Sequence, residues 1–448
     1  MYNIALKFIK GSPNFSPNRD MKHLLNIAIL GLLLLCVGCS EPDHEANDVT
    51  KEETCSLNNW VNDFAQVERN EKISKDIVAD YGALNDATGD ASPILQQAID
   101  EVSAAGGGEV YIPEGKYRFR EIKLKSNVKL RVDHNAIIYP HYTSDNSKFT
   151  LFALGMEKNR DKSSKVIANV EISGVGGRFK IVLSKQTNAK AINVFGVRAV
   201  KNFILQNIHV EDVMTQQPII TLSPTEVTSM FEGEDIIAPT TGFINCISVN
   251  NCHYGYGVVQ AQSAIDCRFE KLSGIGGVTL RFETGSVDMN DRQRGGLEKV
   301  SGKYIYCENG NASAMIAPHS MHNGEVIIEN VESKSCGFAV RIDAGYVSDK
   351  QTVDGLTIGT FKSATVRDVV ACYGVDAQVK KKHMYLLPAE LYKPAYDALK
   401  NDAIVSPASS VAPILNDANY PVKIEGVDTK GYITEDIVGS STFTLKSF

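Results

Sequence analysis

A short pattern that returns along the chain limits the fold more than any other feature. Two apolar residues enclose a polar or Asn-containing pair, at positions 205–208 (LQNI), 244–247 (INCI), 269–272 (FEKL), 302–305 (GKYI), 328–331 (IENV) and 366–369 (VRDV). Ile247 and Leu272 are 25 residues apart, and Ile305 and Val331 are 26 residues apart. A period of this length, made of short strands with few helices, predicts an all-β fold, a right-handed parallel β-helix (solenoid). A β-sandwich with irregular strand spacing is the alternative.

One amphipathic helix is predicted before the coils begin. Its apolar face would contain Ile94, Leu95, Ala98, Ile99 and Val102. Ser92 is the expected N-cap, Pro93 suits the first turn, and the glycines at 106–108 end the helix. Such a helix can cover the first coil, whose open edge would otherwise pair with other chains.

The N-terminus predicts export. A lysine at position 22 precedes an apolar run that ends in Cys36-Val37-Gly38-Cys39, which is too short for a comfortable membrane span and has the form of a signal peptide. We interpret residues 1–39 as a lipoprotein signal with Cys39 as the lipidated residue, and residues 1–20 as an extension before a better start at Met21. A plain signal peptide or a short core helix is the alternative.

The remaining domain boundaries follow from composition. Residues 40–72 are acidic and lack periodicity, which predicts a flexible tether, and residues 73–448 form the β-helix with a C-terminal capping segment. We expect the protein at the outer membrane or cell surface, held there by the lipid anchor alone. Without an anchor it would be secreted. We expect a monomer.

Charge and cysteine content exclude two classes of function. The net charge of −7 argues against nucleic-acid binding, and an anionic ligand would need a local cluster of Arg and Lys. Seven cysteines outside the signal form no CxxC pair and have no His at zinc spacing, so no metal site is predicted. Export permits disulfides, and a stack of buried thiols is the alternative.

One strand carries an outward carboxylate among polar neighbours. In VTLRFE (278–283) Arg281 and Glu283 fall on the side opposite to Leu280 and Phe282. Gln260 stands 23 residues before Glu283, His319 stands 36 residues after it, and Asp343 follows 24 residues later. If one coil takes 23 or 24 residues and the longer interval contains a loop, an outward row is expected with coils roughly 4.8 Å apart. Its members would be Gln260, Glu283, His319, Arg341 and Asp343.

Such a row suits acid catalysis on an anionic sugar. A single carboxylate can act as a general acid if its pKa is raised toward the working pH. Arg281 and Arg341 oppose this by keeping Glu283 ionised, unless an anionic substrate neutralises them. The alternative is a surface ion-pair ladder of Arg281, Glu283 and Arg341.

Five motifs in order resemble one enzyme family. YGYGVVQ, GGVTLRFET, RQRGG, APHSMHNGEV and VESKSCGFAVRIDAGYV resemble the iota-carrageenases of glycoside hydrolase family 82, within a similarity from roughly Asp76 to Pro388. The resemblance implies a right-handed parallel β-helix that hydrolyses β-1,4 linkages of the sulphated galactan iota-carrageenan with inversion. It implies no cofactor for the chemistry, and it allows structural calcium, sodium or chloride.

The resemblance assigns the acid but not the base. The family acid corresponds to Glu283, and the family glutamine and histidine near the cleavage point correspond to Gln260 and His319. The family base is an aspartate two residues after the acid, where this chain has Gly285. Asp343 is the first candidate for the base, although two coils place it about 10 Å away. Asp288 and Asp291 are the next candidates.

The resemblance also bears on substrate binding. The candidate substrate contacts are Arg281, Arg292, Arg294, Lys303, Arg341 and Tyr256. Family members with a large extra domain insert it near positions 346–348, and this chain does not, so we expect an open groove and endo-type cleavage. Two other functions stay open: a sulphated-galactan-binding protein without activity, and a hydrolase for a related sulphated galactan.

Overall fold

The computed structural model describes residues 73–143, 148–155, 166–184, 192–226, 236–387 and 390–439. The predicted signal, the lipidation site at Cys39 and the acidic tether lie outside the described residues. The described residues include two α-helices, α1 (Ser92–Ala104) and α2 (Val287–Arg292), and 3-10 helices at Lys381–Leu386 and Pro394–Tyr396. Within the described ranges, no helix has both the length and the apolar character needed to cross a membrane.

The rest of the described chain is dominated by strands. The first strands are β1 Ser74–Asp76, β2 Asp86–Asp90, β3 Gly108–Ile112, β4 Lys116–Phe119, β5 Ile122–Lys123, β6 Val128–Asp133, β7 Ile137–Pro140, β8 Phe149–Leu154, β9 Ile167–Val175, β10 Phe179–Val182, β11 Ile192–Val197, β12 Val200–Glu211, β13 Ile220–Leu222 and β14 Thr225–Glu226. The others are β15 Ile236–Ile237, β16 Thr240–Ala261, β17 Ala264–Glu283, β18 Leu297–Glu308, β19 Ala312–Ala317, β20 His322–Lys334, β21 Phe338–Ile342, β22 Thr360–Cys372, β23 Ala377–Lys380, β24 Ile404–Ala408, β25 Ile414–Asn416, β26 Val422–Lys430 and β27 Ile437–Val438.

Successive coils pair in parallel, and the predicted parallel β-helix is confirmed. The six copies of the sequence pattern stack in register. Their first residues pair in the order Leu205, Ile244, Phe269, Gly302, Ile328 and Val366. The β-sandwich alternative is therefore wrong.

The pattern marks a corner of the coil. The third residue of every copy has a left-handed φ between 49° and 57°, at Asn207, Cys246, Lys271, Tyr304, Asn330 and Asp368. One left-handed residue turns the strand, so that the residues before and after it lie on different faces of the coil. Asn and Asp adopt this conformation at lower cost than other side chains, which explains the Asn and Asp within the pattern.

A second corner is reinforced by a ladder of asparagines. Asn127, Asn169 and Asn202 all have positive φ. Asn169 Nδ2 donates to Asn127 Oδ1 at 2.7 Å, and Asn202 Nδ2 donates to Asn169 Oδ1 at 2.8 Å. These bonds satisfy polar side chains at a bend where strand pairing is interrupted.

One face of the solenoid carries the candidate site, and we call it the site face. It consists of β8, β11, β13, the ends of β16 and β17, β19, β21, β25 and β27, all paired in parallel. Leu280, Phe282, Ile316 and Ile342 point inward and are fully buried. Packing of these side chains holds the outward residues between them in place.

The early helix is confirmed with one correction. α1 buries Leu95, Ala98, Ile99 and Val102, as predicted. The helix begins at Ser92 itself, so the N-cap is Ala91 and no side chain caps the helix. Ser92 Oγ instead accepts a hydrogen bond from the backbone N–H of Arg120 at 2.7 Å, which ties the helix to the chain after β4.

The C-terminal region does more than cap the last coil. β25, β26 and β27 pair in parallel with the preceding coils and extend the solenoid, where the sequence predicted a capping segment. The described residues 377–387 and 390–412 leave the solenoid and pack outside the site face. Their buried apolar residues form a cluster with Val278, Ala312 and Phe338 of the site face; the outer partners include Val379, Met384 and Leu386. Part of the outward surface beside Glu283 is therefore covered.

Both expectations for the cysteines find support among the described residues, because Cys246 is disulfide-bonded and the others are free thiols. Cys252, Cys267, Cys307 and Cys336 are buried thiols, and Cys372 is a half-buried thiol. Burial raises the pKa of Cys267 to about 12, so this side chain behaves as a small hydrophobic group.

Candidate active site

Glu283 lies at the end of β17, pointing outward with 15% of its side chain exposed. Three side chains hold its carboxylate. Gln260 Nε2 donates to Oε2 at 2.9 Å, and Arg281 Nη2 also donates to Oε2. His319 Nε2 lies 3.4 Å from Oε1. The predicted grouping of glutamate, amide and imidazole is therefore present in the structure.

The prediction that these residues form a single outward row is wrong, because their positions are offset in the strand register. Gln260 pairs with Arg281, and the same row continues through Met315 to Arg341. Glu283 instead pairs with Ala317 in the next coil. Gln260 therefore reaches Glu283 diagonally from two positions earlier, across about one coil spacing.

His319 reaches Glu283 from beyond the end of a strand. β19 ends at Ala317, and His319 has a left-handed φ of 51°. Its carbonyl accepts hydrogen bonds from the N–H groups of Tyr346 at 2.7 Å and Gly359 at 2.8 Å. Because residues 343–359 join β21 to β22, this short connection fixes the backbone that carries the imidazole.

Asp343 lies in the same outward row of the site face as Glu283. It follows Ile342, the partner of Ile316, so it lies beside Ala317 on the side away from Glu283. Two coils thus separate the two carboxylates, as predicted, and their backbones are about 10 Å apart. Arg341 Nη2 donates to Asp343 Oδ2 at 3.0 Å and orients this carboxylate.

Surrounding cations keep Glu283 ionised. Burial would raise the pKa of Glu283, but Arg281, His319 and Arg341 outweigh it and hold the pKa well below the usual range. Arg341 is 7% exposed, and its Nη1 donates to Asn311 Oδ1 at 2.9 Å. The unliganded site therefore presents a deprotonated carboxylate within a positive environment.

Gly285 faces an imidazole. A Cβ added at Gly285 would lie 3.2 Å from both Cε1 and Nε2 of His319, which is tighter than ordinary contact. The other side of His319 packs against Tyr346, with ring centroids 4.6 Å apart. His319 therefore contacts Gly285, Tyr346 and the Glu283 carboxylate at the same time.

The loop between β17 and β18 (residues 284–296) is held by contacts with neighbouring segments. Asp291 accepts a hydrogen bond from Thr352 Oγ1 at 2.8 Å, and Asp288 is exposed in α2. Arg292 pairs with Glu226 at 2.6 Å. Arg294 is exposed beyond α2. These side chains lie on the loop after Glu283, and none of the contacts given for the described residues joins them to its carboxylate.

Two predicted substrate contacts have different positions. Lys303 belongs to another face of the solenoid, where it pairs in register with Glu270 and Glu329 and lies 3.3 Å from Glu329 Oε1. The chain turns a corner between that face and the site face, so Lys303 does not lie beside Glu283, and its contact with a substrate stays a prediction. Tyr256 is half-buried beside His253, just before the segment that carries Gln260.

Sequence reasoning missed the residues that arrive from the C-terminal segment. Lys380 Nζ lies 5.6 Å from the ring centroid of Tyr254. Tyr254 in turn interacts electrostatically with Arg341. The basic run at 380–382 was the only sequence signal, and nothing in the coil periodicity assigns it to this face.

Structural calcium, sodium or chloride stays a prediction from the resemblance. The described residues contain no cluster of three or more His, Cys, Asp or Glu side chains arranged for a metal ion.

The low pKa of Glu283 makes its contribution to stability depend on pH. The contribution is fully present above the ordinary glutamate pKa of 4.5 and is lost as the pH falls toward the lowered value in the folded protein. We expect the difference in unfolding free energy between wild type and Glu283→Gln to shrink by about 1 kcal/mol from pH 7 to pH 4. Urea unfolding of both proteins at both pH values measures this difference. A difference that does not change with pH would contradict the lowered pKa of Glu283.

Several known sequences are similar to this chain. The family model described as rhamnogalacturonase A/epimerase, pectate lyase-like, matches residues 77–265. An iota-carrageenase from Alteromonas macleodii is 34% identical over 286 residues, which are 64% of this chain and 56% of that protein. An iota-carrageenase from Zobellia galactanivorans is 30% identical over 329 residues, 72% of this chain and 64% of that protein. The chain thus spans less than two thirds of either relative.

Comparison with solved structures extends the similarity to the fold. The crystal structure of a family GH82 iota-carrageenase from A. fortis matches with a TM-score of 0.74 and 26% identity. The match covers 86% of this chain and 92% of that chain. In sequence and in fold, the chain is an iota-carrageenase-like protein similar to glycoside hydrolase family 82.

Proposed function

We propose that this protein is a glycoside hydrolase that cleaves β-1,4 linkages of a sulphated galactan, with iota-carrageenan as the first candidate. The observation that supports this most is the Glu283 carboxylate, contacted by Gln260, Arg281 and His319 on the outward side of a parallel β-helix. The relatives named iota-carrageenase support the same substrate class. Cleavage is of endo type, because only the short connection 343–359 stands where a large insertion would close the groove.

Glu283 is the general acid of the proposed reaction. In the unliganded site its pKa is low, because the nearby cations outweigh burial. A sulphate ester bound to Arg281 and Arg341 would cancel part of that positive field, so the pKa of Glu283 would rise toward the working pH. Glu283 could then carry a proton and donate it to the leaving oxygen as the glycosidic bond breaks. Anionic substrate thus supplies the condition for acid catalysis.

Asp343 is the proposed base. Inversion needs a second carboxylate roughly 6.5–9.5 Å from the acid, which leaves room for the attacking water. Asp343 projects from the same outward row as Glu283, two coils away, and a modest lean of the two side chains would bring their carboxyl groups from about 10 Å into that range. Asp291 is held by Thr352, and Asp288 is exposed on α2, so Asp343 remains the first candidate.

Two other functions have specific support. The absence of an aspartate at Gly285 is consistent with a protein that binds sulphated galactan without cleaving it. The imidazole beside Gly285 is also consistent with a hydrolase for a related galactan with a different sulphate pattern. A reducing-sugar assay across iota-, kappa- and lambda-carrageenan and agar separates these functions from the first.

The features outside the described residues remain proposals from sequence. We propose export with lipidation at Cys39, which would keep the β-helix at a membrane surface through an acidic tether. We also propose that the protein acts as a monomer. Incorporation of a labelled fatty acid into wild type, but not into Cys39→Ser, tests the anchor.

The acid assignment predicts a large loss of activity in Glu283→Gln. We expect release of reducing ends from iota-carrageenan to fall by about 10²- to 10⁴-fold, because the amide cannot donate the catalytic proton. Binding of carrageenan oligosaccharides, measured by calorimetry, should persist. Activity near that of wild type would remove Glu283 from the acid role.

The base assignment predicts that Asp343→Asn is inactive but can be rescued. Azide is a small nucleophile that needs no deprotonation, so it should restore cleavage and form a glycosyl azide with inverted configuration. Asp291→Asn is the matched control and should remain active. If Asp343→Asn retains full activity, the base must be sought elsewhere.

Substitutions at position 285 distinguish a site adapted to a related substrate from a site that has lost its catalytic base. We expect Gly285→Asp to lower activity, because the new side chain would push His319 away from Glu283 and compete for Arg281. Gly285→Ala adds only the Cβ and separates crowding from charge. An increase in reducing-end release in Gly285→Asp, without one in Gly285→Ala, would instead show that the site lacks its base.

A further inference from the structure

The segment 377–387 forms a basic wall beside Glu283. β23 pairs antiparallel with β24, and among the described strands it is not a sheet neighbour of any coil, although the N–H of Gln378 donates to the Gly310 carbonyl at 3.0 Å. The segment is anchored on the outside of the site face through Val379, Met384 and Leu386, which share a buried cluster with Val278, Ala312 and Phe338. Lys380, at the end of β23, is therefore held in place by packing on both sides of it in sequence.

A second anchor comes from Gln378. Its Oε1 accepts a hydrogen bond from the N–H of Gly277 at 2.8 Å, and its Nε2 donates to the carbonyl of Cys252 at 3.3 Å. Both partners lie at the bend that leads into the strands carrying Gln260 and Glu283. The wall is thus fixed to the same two coils that carry the proposed acid.

Lys380 turns toward the catalytic groups. Its ammonium lies 5.6 Å from the ring centroid of Tyr254. It is half-buried and interacts electrostatically with Arg341, Glu283 and Arg281. Among the described residues, Lys380 forms no ion pair. A half-buried ammonium beside two guanidinium groups is costly unless an anion balances it.

The guanidinium groups also keep unused donors. Arg341 is 7% exposed, and its Nε is buried without a hydrogen-bond partner within the described part of the chain. Arg281 Nε is in the same condition. Among the described residues, Arg281, Arg341 and Lys380 supply three positive charges against the two carboxylates Glu283 and Asp343. One unit of positive charge therefore remains for an anionic ligand to balance.

We propose that Lys380, together with Arg281 and Arg341, binds a sulphate ester on the sugar that lies against Glu283. The inference rests on the proposed function and adds a residue that discriminates sulphated from unsulphated galactan. A lysine ammonium is a compact charge on a flexible stem, and it binds tetrahedral oxyanions without needing the planar fit of a carboxylate. Lys380 contributes to binding and selectivity, whereas Glu283 performs the chemistry.

Calorimetry in the inactive Glu283→Gln background tests the proposal. The probes are iota-carrageenan oligosaccharides, the same oligosaccharides after chemical desulphation, and oligogalacturonate. We expect Lys380→Met, which keeps an apolar stem, to weaken binding of the sulphated probe on the order of 30-fold. Binding of the desulphated probe should not change. Lys380→Arg should recover most of the affinity.

Lys423→Met is the matched control. Lys423 is exposed, pairs with Glu425 at 2.9 Å and lies on another face, so the same loss of charge there should leave affinity unchanged. Thermal unfolding verifies that each variant is folded. Equal loss for sulphated and desulphated probes, no loss in Lys380→Met, or equally tight binding of oligogalacturonate would each overturn the proposal.

The outcome is independent of hydrolysis. If wild type releases no reducing ends from any sulphated galactan, the proposed enzymatic activity fails, yet the binding comparison still decides the role of Lys380. If the Glu283→Gln protein with Lys380 intact binds none of the three probes, the sulphate site itself is refuted.

Discussion

Backbone hydrogen bonding between successive parallel coils is the constraint on which the rest of the structure depends. It keeps each residue about 4.8 Å from its counterpart in the next coil, and it makes inward and outward positions continue from coil to coil. A left-handed residue at each repeated corner lets one strand, such as β17, serve two faces without breaking this register. The candidate site therefore sits on a rigid surface, and its geometry follows from the strands behind it.

On that surface, two electrostatic effects act on the Glu283 carboxylate in opposite directions. Burial disfavours the charged carboxylate, whereas Arg281 and Arg341 favour it, and the effect of the two arginines is the larger. A general acid must instead be protonated at the working pH. In the proposed function an anionic substrate would resolve the conflict, because its sulphate groups would compete with Glu283 for the same cations. The proposed preference for a sulphated polymer and the proposed activation of the acid would thus have one physical cause.

Much of the fold could be predicted because its signals are local. The left-handed corner favours Asn and Asp, so the copies at Asn207, Asn330 and Asp368 mark coil boundaries in the sequence itself. The proposed acid and its neighbours could be grouped by adding coil lengths. The same addition wrongly placed Gln260, Glu283 and His319 in a single row, since an interval does not show how far a residue lies beyond the end of its strand or by how many positions two strands are offset.

By itself, the sequence determined the stacked coils, the capping helix and the outward direction of Glu283, because periodicity and strand alternation encode them locally. Tertiary structure alone decided that Gln260 and His319 meet the carboxylate diagonally and that His319 occupies the space beside Gly285. It also decided that Lys380 returns to this face, about 100 residues after Glu283 in the chain. Such contacts depend on where long connections fold back over the solenoid, and burial of an apolar surface like that around Phe338 selects that path only once the coils exist.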